Sequence, residues 1–397
     1  QPSNRNLAAA KTAKQDEFYT QYVDIQKEVE AYLEFDPDTF RGKIVYCNCD
    51  DPFESNFFKY FAANFNRLGL KKLVTTSYDG SPIAGAQLTF GEYDEGNGKR
   101  QKPKAIAVEI EEVRDVTGDG ATGIEDVKLF LKRNHHTRTR LAGGGDFRSP
   151  ECIALLREAD VVVTNPPFSL FRQYIAQLVE HGKKFLIIGN LNAITYKEVF
   201  PFLKENKVWL GNNYKVNAGA MYFEIPENVA NLEQVREIKT NESGKKVYVT
   251  RVQGVRWFTN LDHGRLHENL PLMTKAEVIK FSTKKPFDKY DNYNAIEVSL
   301  VKNIPSDYEG VMGVPISIMD KYNPDQFEIV GTTESNDPGN ACRTRVYTSQ
   351  ERRDAYKTLF GKPGVYDLNA SGVVNGVKVY KRILIRHRTR PTRGTKK

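Results

Sequence analysis

Apolar positions along the first part of the chain alternate between two periods. In residues 16–34 (DEFYTQYVDIQKEVEAYLE), Phe18, Tyr22, Ile25, Val29 and Leu33 fall near helical spacing, which predicts a helix with one apolar face. KIVYC (43–47) is a short unbroken apolar run and reads as a buried strand. It ends in NCDDPFES, where Asp, Pro and Ser mark a turn and the start of a helix. Phe57, Phe61, Phe65 and Leu68 return to helical spacing, and Gly69 is placed to close that helix. KKLVTTS (71–77) predicts the next strand.

Residues 79–123 are rich in Gly and charge, with one alternating run, AIAVEIEEV (105–113). They read as an insertion or irregular hairpin, followed by a helix over 124–133. After GGGDFRSPE the pattern becomes regular: helix 151–158, strand 160–165, helix 169–182, strand 184–190, helix 195–205. Strands alternating with helices imply right-handed βαβ crossovers and a mostly parallel sheet, so the expected class is α/β. Beyond about residue 215 the chain turns β-rich and irregular, in AMYFEIP, KKVYVTRVQGVRWF, YNAIEVSLV, FEIVGTT and VYKRILIR. The expected organisation is a mobile basic lead-in (1–15), an α/β domain (16–210, with 79–123 inserted), a β-rich region (211–388) and a basic tail (389–397). In open α/β sheets, ligands bind beyond the carboxyl ends of the strands. That selects the segments after KIVYC, around VVVTN and after FLIIGN.

Composition narrows the classes. A chain of 397 residues with 40% hydrophobic and 27% charged residues has the make-up of a globular protein. No apolar run approaches the roughly 18 residues of a membrane span, and the first residues contain no apolar signal segment. The net charge is +8, yet nine Lys and Arg stand among the last twenty residues, with no acid. The rest is close to neutral, so attraction to a polyanion concentrates in the tail, as sequence-independent phosphate contact. Four cysteines (Cys47, Cys49, Cys152 and Cys342) form neither a disulfide framework nor a zinc pattern. Reduced thiols, a cytoplasmic compartment and no metal site are expected.

Asn165-Pro166-Pro167-Phe168, directly after the apolar run 160–164, carries the most specific chemistry. Two prolines at a strand end fix φ and remove two N–H donors, leaving a rigid hook of acceptors. The Asn side-chain oxygen and a proline carbonyl are able to accept both hydrogens of a planar amine. An aromatic two residues on is able to stack on the ring that bears it. Such a hook suits methylation of an exocyclic amine, since holding both hydrogens draws the nitrogen toward sp3 character. The plain alternative is a Pro-Pro turn after a buried strand. Asp115, Thr117, Asp119, Gly120 and Asp126 imitate calcium-loop spacing, although Thr replaces an acid at the third position and no partner hand exists. A Gly-rich turn before a helix is the preferred reading there. Asn190 and Asn192 either line a pocket or cap the next helix. His135 and His136 lie in a basic run, KRNHHTRTR, and no Ser-His-Asp constellation is present.

VVVTNPPF resembles the fourth motif of amino-methyltransferases that use S-adenosylmethionine. DEFYT (16–20) resembles the segment that covers the cofactor's methionine end, which implies roles for Tyr19 and Thr20. IVYCNCDDPFESNF (44–57) stands where the first, cofactor-binding motif belongs, and GGGDFRS (143–149) resembles the third, whose acid and aromatic, here Asp146 and Phe147, face the cofactor's adenine. With FLIIGNLNAITYKE and GVMGVPISIMDKYNPDQFEIVG, the chain from 15 to 388 is similar to the EcoRI-type adenine-specific DNA methyltransferases. The first motif departs from many related enzymes: Cys49-Asp50-Asp51-Pro52-Phe53 contains no glycine. Asp50 and Asp51 either bind the cofactor's amino group or ribose hydroxyls, or Asp51 caps the following helix. Asp79 is either a ribose ligand or a turn residue.

The resemblance implies a Rossmann-like methyltransferase domain followed by a target-recognition region over 211–388. It implies methyl transfer from S-adenosylmethionine to a flipped-out adenine in double-stranded DNA, by a monomer, in restriction–modification or in phage or plasmid self-protection. Asn165, Pro166, Pro167 and Phe168 would be catalytic, and a cognate restriction endonuclease would act separately. The alternatives are methylation of an RNA base or a protein glutamine, and a non-catalytic DNA-binding protein on the same fold.

Overall fold

The computed structural model describes residues 19–48, 55–77, 105–120, 122–133, 138–212, 220–225, 235–240, 246–282, 286–334 and 341–388. The expected lead-in (1–15) and tail (389–397) lie outside them, as do Cys49, Asp50, Asp51, Asp79, His135 and His136. The chain divides into two compact units, Gln1–Leu191 with Leu210–His263, and Asn192–Trp209 with Gly264–Lys397.

The first unit is built on an eight-stranded sheet in the order β5-β4-β3-β2-β6-β7-β12-β8. Its strands are β2 (Ile44–Asn48), β3 (Lys72–Thr76), β4 (Ile106–Ile110), β5 (Arg138–Arg140), β6 (Val161–Thr164), β7 (Lys184–Asn190), β12 (Val255–Thr259) and β8 (Trp209–Leu210), through which the boundary between the units runs. β2 is parallel to β3 and β6, and β6 is parallel to β7. β4 is antiparallel to β3, β5 to β4, and β12 to β7. The sheet is therefore mixed: parallel at its centre, as the alternation of strands and helices predicts, and antiparallel toward its flanks. The reason is local. The alternating AIAVEIEEV run, read as part of an insertion or irregular hairpin, returns antiparallel beside β3 as β4, and an antiparallel neighbour needs no crossover helix.

Helices cover the central strands, so these read as unbroken apolar runs rather than alternating ones. Val161, Val162, Val163 and Thr164 are all buried. Val161 and Val163 join one core cluster with Ile25, Val29 and Tyr32 of α1 (Tyr22–Phe35) and Phe57, Phe58 and Phe61 of α2 (Asn56–Ala63). Ser55 starts α2, its hydroxyl accepting the N–H groups of Phe57 (3.1 Å) and Phe58 (3.3 Å). The short α3 (Phe65–Leu68) closes at Gly69 in the left-handed conformation, φ +63°. α4 (Ile124–Arg133) and α5 (Pro150–Glu158) follow, and Ser149 caps α5. α6 (Phe171–Glu180) buries Phe171, Tyr174, Ile175 and Leu178. Its Phe171 lies edge-on to Phe258 of β12, with ring centres 5.0 Å apart.

A second, antiparallel sheet in this unit has the order β1-β9-β11-β10, from β1 (Tyr19–Thr20), β9 (Ala220–Ile225), β10 (Val235–Thr240) and β11 (Lys246–Gln253). Periodicity alone started the first helix at residue 16. Tyr19 and Thr20 instead pair with Glu224 and Phe223, and the helix begins at Tyr22. A partner two hundred residues away is invisible to local spacing. Likewise KKVYVTRVQGVRWF, a single apolar run, becomes two strands in two sheets. β11 joins the smaller sheet, β12 the larger, and Gly254 (φ +70°) turns the chain between them. The compact units therefore interleave along the chain and do not meet at a single break after residue 210.

The second unit contains α7 (Phe200–Lys204), α8 (Lys275–Phe281), α9 (Ser349–Phe360) and a sheet ordered β13-β14-β18-β15. Those strands are Ile296–Glu297, Met312–Pro315, Arg382–His387 (β18) and Phe327–Thr332 (β15). Arg382 and Glu297 form an ion pair at 2.6 Å, with side chains only 11% and 9% exposed. A two-residue Asn375-Gly376 turn, both at positive φ, joins β16 (Val373–Val374) to β17 (Val377–Lys378). Among the described residues, no helix is long and apolar enough to cross a membrane.

Gly189 in β7 marks where α6 approaches the sheet most closely, because a Cβ there would lie 2.4 Å from the Phe171 ring. Gly189→Ala is expected to destabilise the protein by about 1–3 kcal/mol. Pairing it with Phe171→Leu is expected to recover part of that loss, and thermal denaturation of the single and double variants checks both.

Candidate active site

β2, β3, β6 and β7 run in the same direction, so Asn48, Thr76, Thr164 and Asn190 all stand at one edge of the sheet. That edge is polar and yet buried: Asn48, Thr75, Thr76, Ser77 and Thr164 are all sequestered from water. Burial on this scale requires hydrogen bonds. The Thr76 hydroxyl donates to Asn48 Oδ1 at 2.9 Å and lies 3.1 Å from the Tyr46 hydroxyl. The ladder between β2 and β6 pairs Val45 with Val161 and Tyr46 with Val162. Two residues further on, the Thr164 hydroxyl donates to the Asn48 carbonyl. A side chain thus continues the connection between the strands where they end. Local spacing alone does not disclose this network. Its one signal is the change from apolar to hydrogen-bonding residues at the ends of KIVYCN and VVVT.

Asn165-Pro166-Pro167-Phe168 follows immediately. Pro166 is buried, while Asn165, Pro167 and Phe168 are half-buried. Asn165 Oδ1 itself lies out of contact with solvent. The Pro167 carbonyl accepts the Leu170 N–H at 2.9 Å, which tightens the turn into a short 3-10 segment before α6 begins. Phe168 packs against the same core cluster that holds α1 and α2. The hook is therefore tied to the sheet through Thr164, to the core through Phe168 and to α6 through its own turn.

The residues expected to hold a cofactor fall into three groups. Thr20 is buried, and its Oγ1 has no hydrogen-bond partner among the described residues. Asn56, in the first turn of α2, donates to the Thr20 carbonyl at 2.9 Å, which puts Thr20 beside the start of that helix. Tyr19 precedes it in β1. Cys49, Asp50 and Asp51 belong to the connection between Asn48 and Ser55, outside the described residues. Asp146 and Phe147 lie against α6 instead. Arg148 grips the Asp146 carboxylate with two bonds, 2.9 and 2.7 Å, and holds its pKa below the ordinary 3.8. Arg148 also donates to Gln173, and Gln177 donates to the Phe147 carbonyl at 3.1 Å. The Phe147 ring is buried edge-on to Tyr174, with Arg148 over its face at 5.2 Å. Asn190 pairs with Val255 at the end of β7. Asn192 belongs to the second unit, where its carbonyl accepts the Thr195 hydroxyl.

The calcium-like spacing does close a loop, bringing the Asp115, Asp119 and Asp126 carboxylates within 4.8 Å of one another. Main-chain donors occupy two of them. Asp115 accepts the Gly118 and Gly120 N–H groups, and Asp126 accepts those of Val116, Thr117 and Gly123. These bonds hold Asp126 ionised down to about 2. Cys47 and Cys152 are buried free thiols, and Cys342 is a half-buried one.

The family described as adenine-specific methyltransferase EcoRI matches residues 6–388. The chain is 43% identical to the Type II methyltransferase M.EcoRI of Escherichia coli over 334 residues, covering 83% of this chain and 89% of that one. It is 36% identical to the Type II methyltransferase M.MpnI of Mycoplasma pneumoniae over 322 residues (81% and 83%). It is 34% identical to the Type II methyltransferase M.MgeORF184P of Mycoplasma genitalium over 382 residues (95% and 97%). No solved structure matches the chain.

Two variants test how this edge is held. Thr164→Val removes the side-chain donor to the buried Asn48 carbonyl and is expected to cost about 0.5–1.5 kcal/mol, whereas Thr164→Ser should stay close to the original in thermal denaturation. Asp126 has a depressed pKa, so its contribution is complete above the ordinary 3.8 and is lost as pH falls toward 2. Protection of the Val116, Thr117 and Gly123 amides, taken relative to their intrinsic exchange, should fall over that window, and Asp126→Asn should remove that fall.

Proposed function

The chain belongs to the EcoRI family of adenine-specific methyltransferases, and from that membership we propose that it moves a methyl group from S-adenosylmethionine to the N6 amine of an adenine in double-stranded DNA, within restriction–modification. The observation that carries the reading is the Asn165–Phe168 hook, fastened by Thr164 to the end of β2 at the carboxyl edge of a parallel centre. The strand order and the position of this edge support a Rossmann-like methyltransferase fold.

Residues around that edge fit the methyl donor. Thr20 Oγ1, buried beside the start of α2 and without a partner among the described residues, suits a polar group arriving from outside the chain, and the amino-acid end of S-adenosylmethionine is such a group. Tyr19, Cys49, Asp50 and Asp51 are assigned to the same end. Asp146 and Phe147 are assigned to its adenine, with Arg148 keeping the Asp146 carboxylate ionised as an acceptor. S-adenosylmethionine supplies, when bound, a methyl group on a sulfonium centre already activated for transfer. What remains for the protein is alignment, which accounts for the absence of any nucleophile or acid–base pair from the roles assigned here.

An adenine inside a duplex is out of reach, so the base must leave the stack. Asn165 Oδ1 and the Pro166 carbonyl then accept the two N6 hydrogens, and Phe168 stacks on the ring while Pro167 keeps the turn rigid. Holding both hydrogens directs the nitrogen lone pair out of the amine plane, toward the methyl carbon. Base readout is assigned to the region 211–388, and in particular to its part in the second unit, because 210–263 builds strands of the first.

Asn165→Ala is expected to lower methyl transfer to duplex DNA by about 100-fold or more, the scale on which removing one positioned hydrogen-bonding group acts. Isothermal titration with S-adenosylmethionine should remain unchanged. Turnover at the original rate would refute the hook, and an unaltered protein that neither binds the donor nor methylates DNA would refute the function.

A further inference from the structure

α9 is an unusual helix for a folded unit. It runs for twelve residues, Ser349–Phe360, and buries none of its side chains. A helix of this length is marginal on its own in water, and most helices gain their stability from an apolar stripe against a core. This one is secured at its ends and along a narrow inner side. Thr348 and Glu351 form a reciprocal cap, and Gly361 (φ +67°) terminates it. On the inner side Arg352 pairs with Asp367 at 2.7 Å. Tyr356 lies against Gly364, where a Cβ would come within 2.2 Å of the ring. Ala355 touches the small cluster of Tyr347, Leu368 and Val373.

The opposite side carries Gln350, Arg353, Asp354 and Lys357, at intervals of three and four and all exposed, so they line one face. Gln350 donates to Asp354 at 2.8 Å, and Arg353 donates to Gln350 at 3.1 Å. The face is thus ordered in advance. Its chemistry is that of base recognition: Arg toward guanine, Gln toward adenine, Asp toward the cytosine amine. Charge identifies the partner. Residues 341–388 contain eleven Lys and Arg against three acids, a net +8 that equals the charge of the whole chain. Arg345, Arg352, Lys381, Arg382 and Arg386 are paired with carboxylates, while Arg353, Lys357 and Lys362 are exposed on or just beyond α9, against Asp354 on the same face. Twelve residues span roughly 18 Å, and a helix fits the roughly 12 Å width of a major groove.

We propose that α9 is the helix that enters the DNA major groove, with Gln350, Arg353 and Asp354 reading base edges and Lys357 contacting the backbone. This rests on the reading of the substrate as double-stranded DNA. It narrows a region of nearly 180 residues to one helical face.

The test methylates a library of duplexes with the full-length protein and sequences the products for N6-methyladenine. Arg353→Ala sits on an exposed helical face where Ala is well tolerated, so the variant is expected to fold. It should lose discrimination at one base pair on the order of 10- to 100-fold, with the other positions kept. Lys357→Ala should weaken binding to all sequences alike and reduce the salt dependence by about one contact. A Gln350→Ala, Arg353→Ala double variant with intact circular dichroism that methylates the same sequence at the original rate overturns the proposal. So does a variant whose sequence preference is unchanged but whose sedimentation shows an altered association state, which would make the face a protein contact. An unaltered protein that methylates no duplex overturns the substrate reading itself and this proposal with it.

Discussion

The parallel pairing of β2 with β6 is the constraint from which the rest of the active edge follows. It brings together two segments 116 residues apart, one ending at Asn48 and the other at Thr164. Both strands are buried, and a slip by one residue would break the pairing of Val45 with Val161 and Tyr46 with Val162 and the bond from Thr164 to Asn48. The Thr164 hydroxyl on the Asn48 carbonyl extends that register to the last residue before Asn165. On the proposed role of the hook, such a fixed origin is what alignment of an amine requires, because small misplacements are costly in reactions governed by alignment. Gly189 serves the same end from behind, letting α6, which begins just after the hook, sit directly on β7.

Around this centre the chain is organised less linearly than its composition suggests. Residues 210–263 return to the first unit and supply β12 to the large sheet and β9 and β11 to the small one. The strand β1, with its buried Thr20, exists only because β9 is there to pair with it. The small sheet thus draws on both ends of the first unit's sequence. The second unit is left with a sheet of its own, a buried Arg382–Glu297 pair and the exposed polar face of α9.

Much of the central fold was legible in advance. The helix over 124–133 and the strand over 184–190 stand where their periodicity put them, because each depends on residues close in sequence. Where reading failed, the deciding partner was distant. Tyr19 and Thr20 left the helix for a strand, and one apolar run divided at Gly254 between two sheets. In the same way the turn at Asn165–Phe168 after a buried strand was legible, whereas the polar network beneath it was not, since Thr and Asn at strand ends are common and acquire meaning only when strands align them.

The sequence by itself determined the residue types of the hook, the alternation that makes a parallel centre, the capped ends of the helices and the excess of positive charge toward the C-terminus. These are properties of short stretches, set by local sterics and hydrogen bonding. Only the tertiary structure decided that β2 and β6 are neighbours, that Thr20 is buried beside α2, that Asp146 is gripped by Arg148, and that α9 leaves its polar face to solvent. The physical reason is that burial and pairing are relations between distant segments. A side chain's chemistry is carried by its own residue, but what it can act on depends on what the fold places beside it.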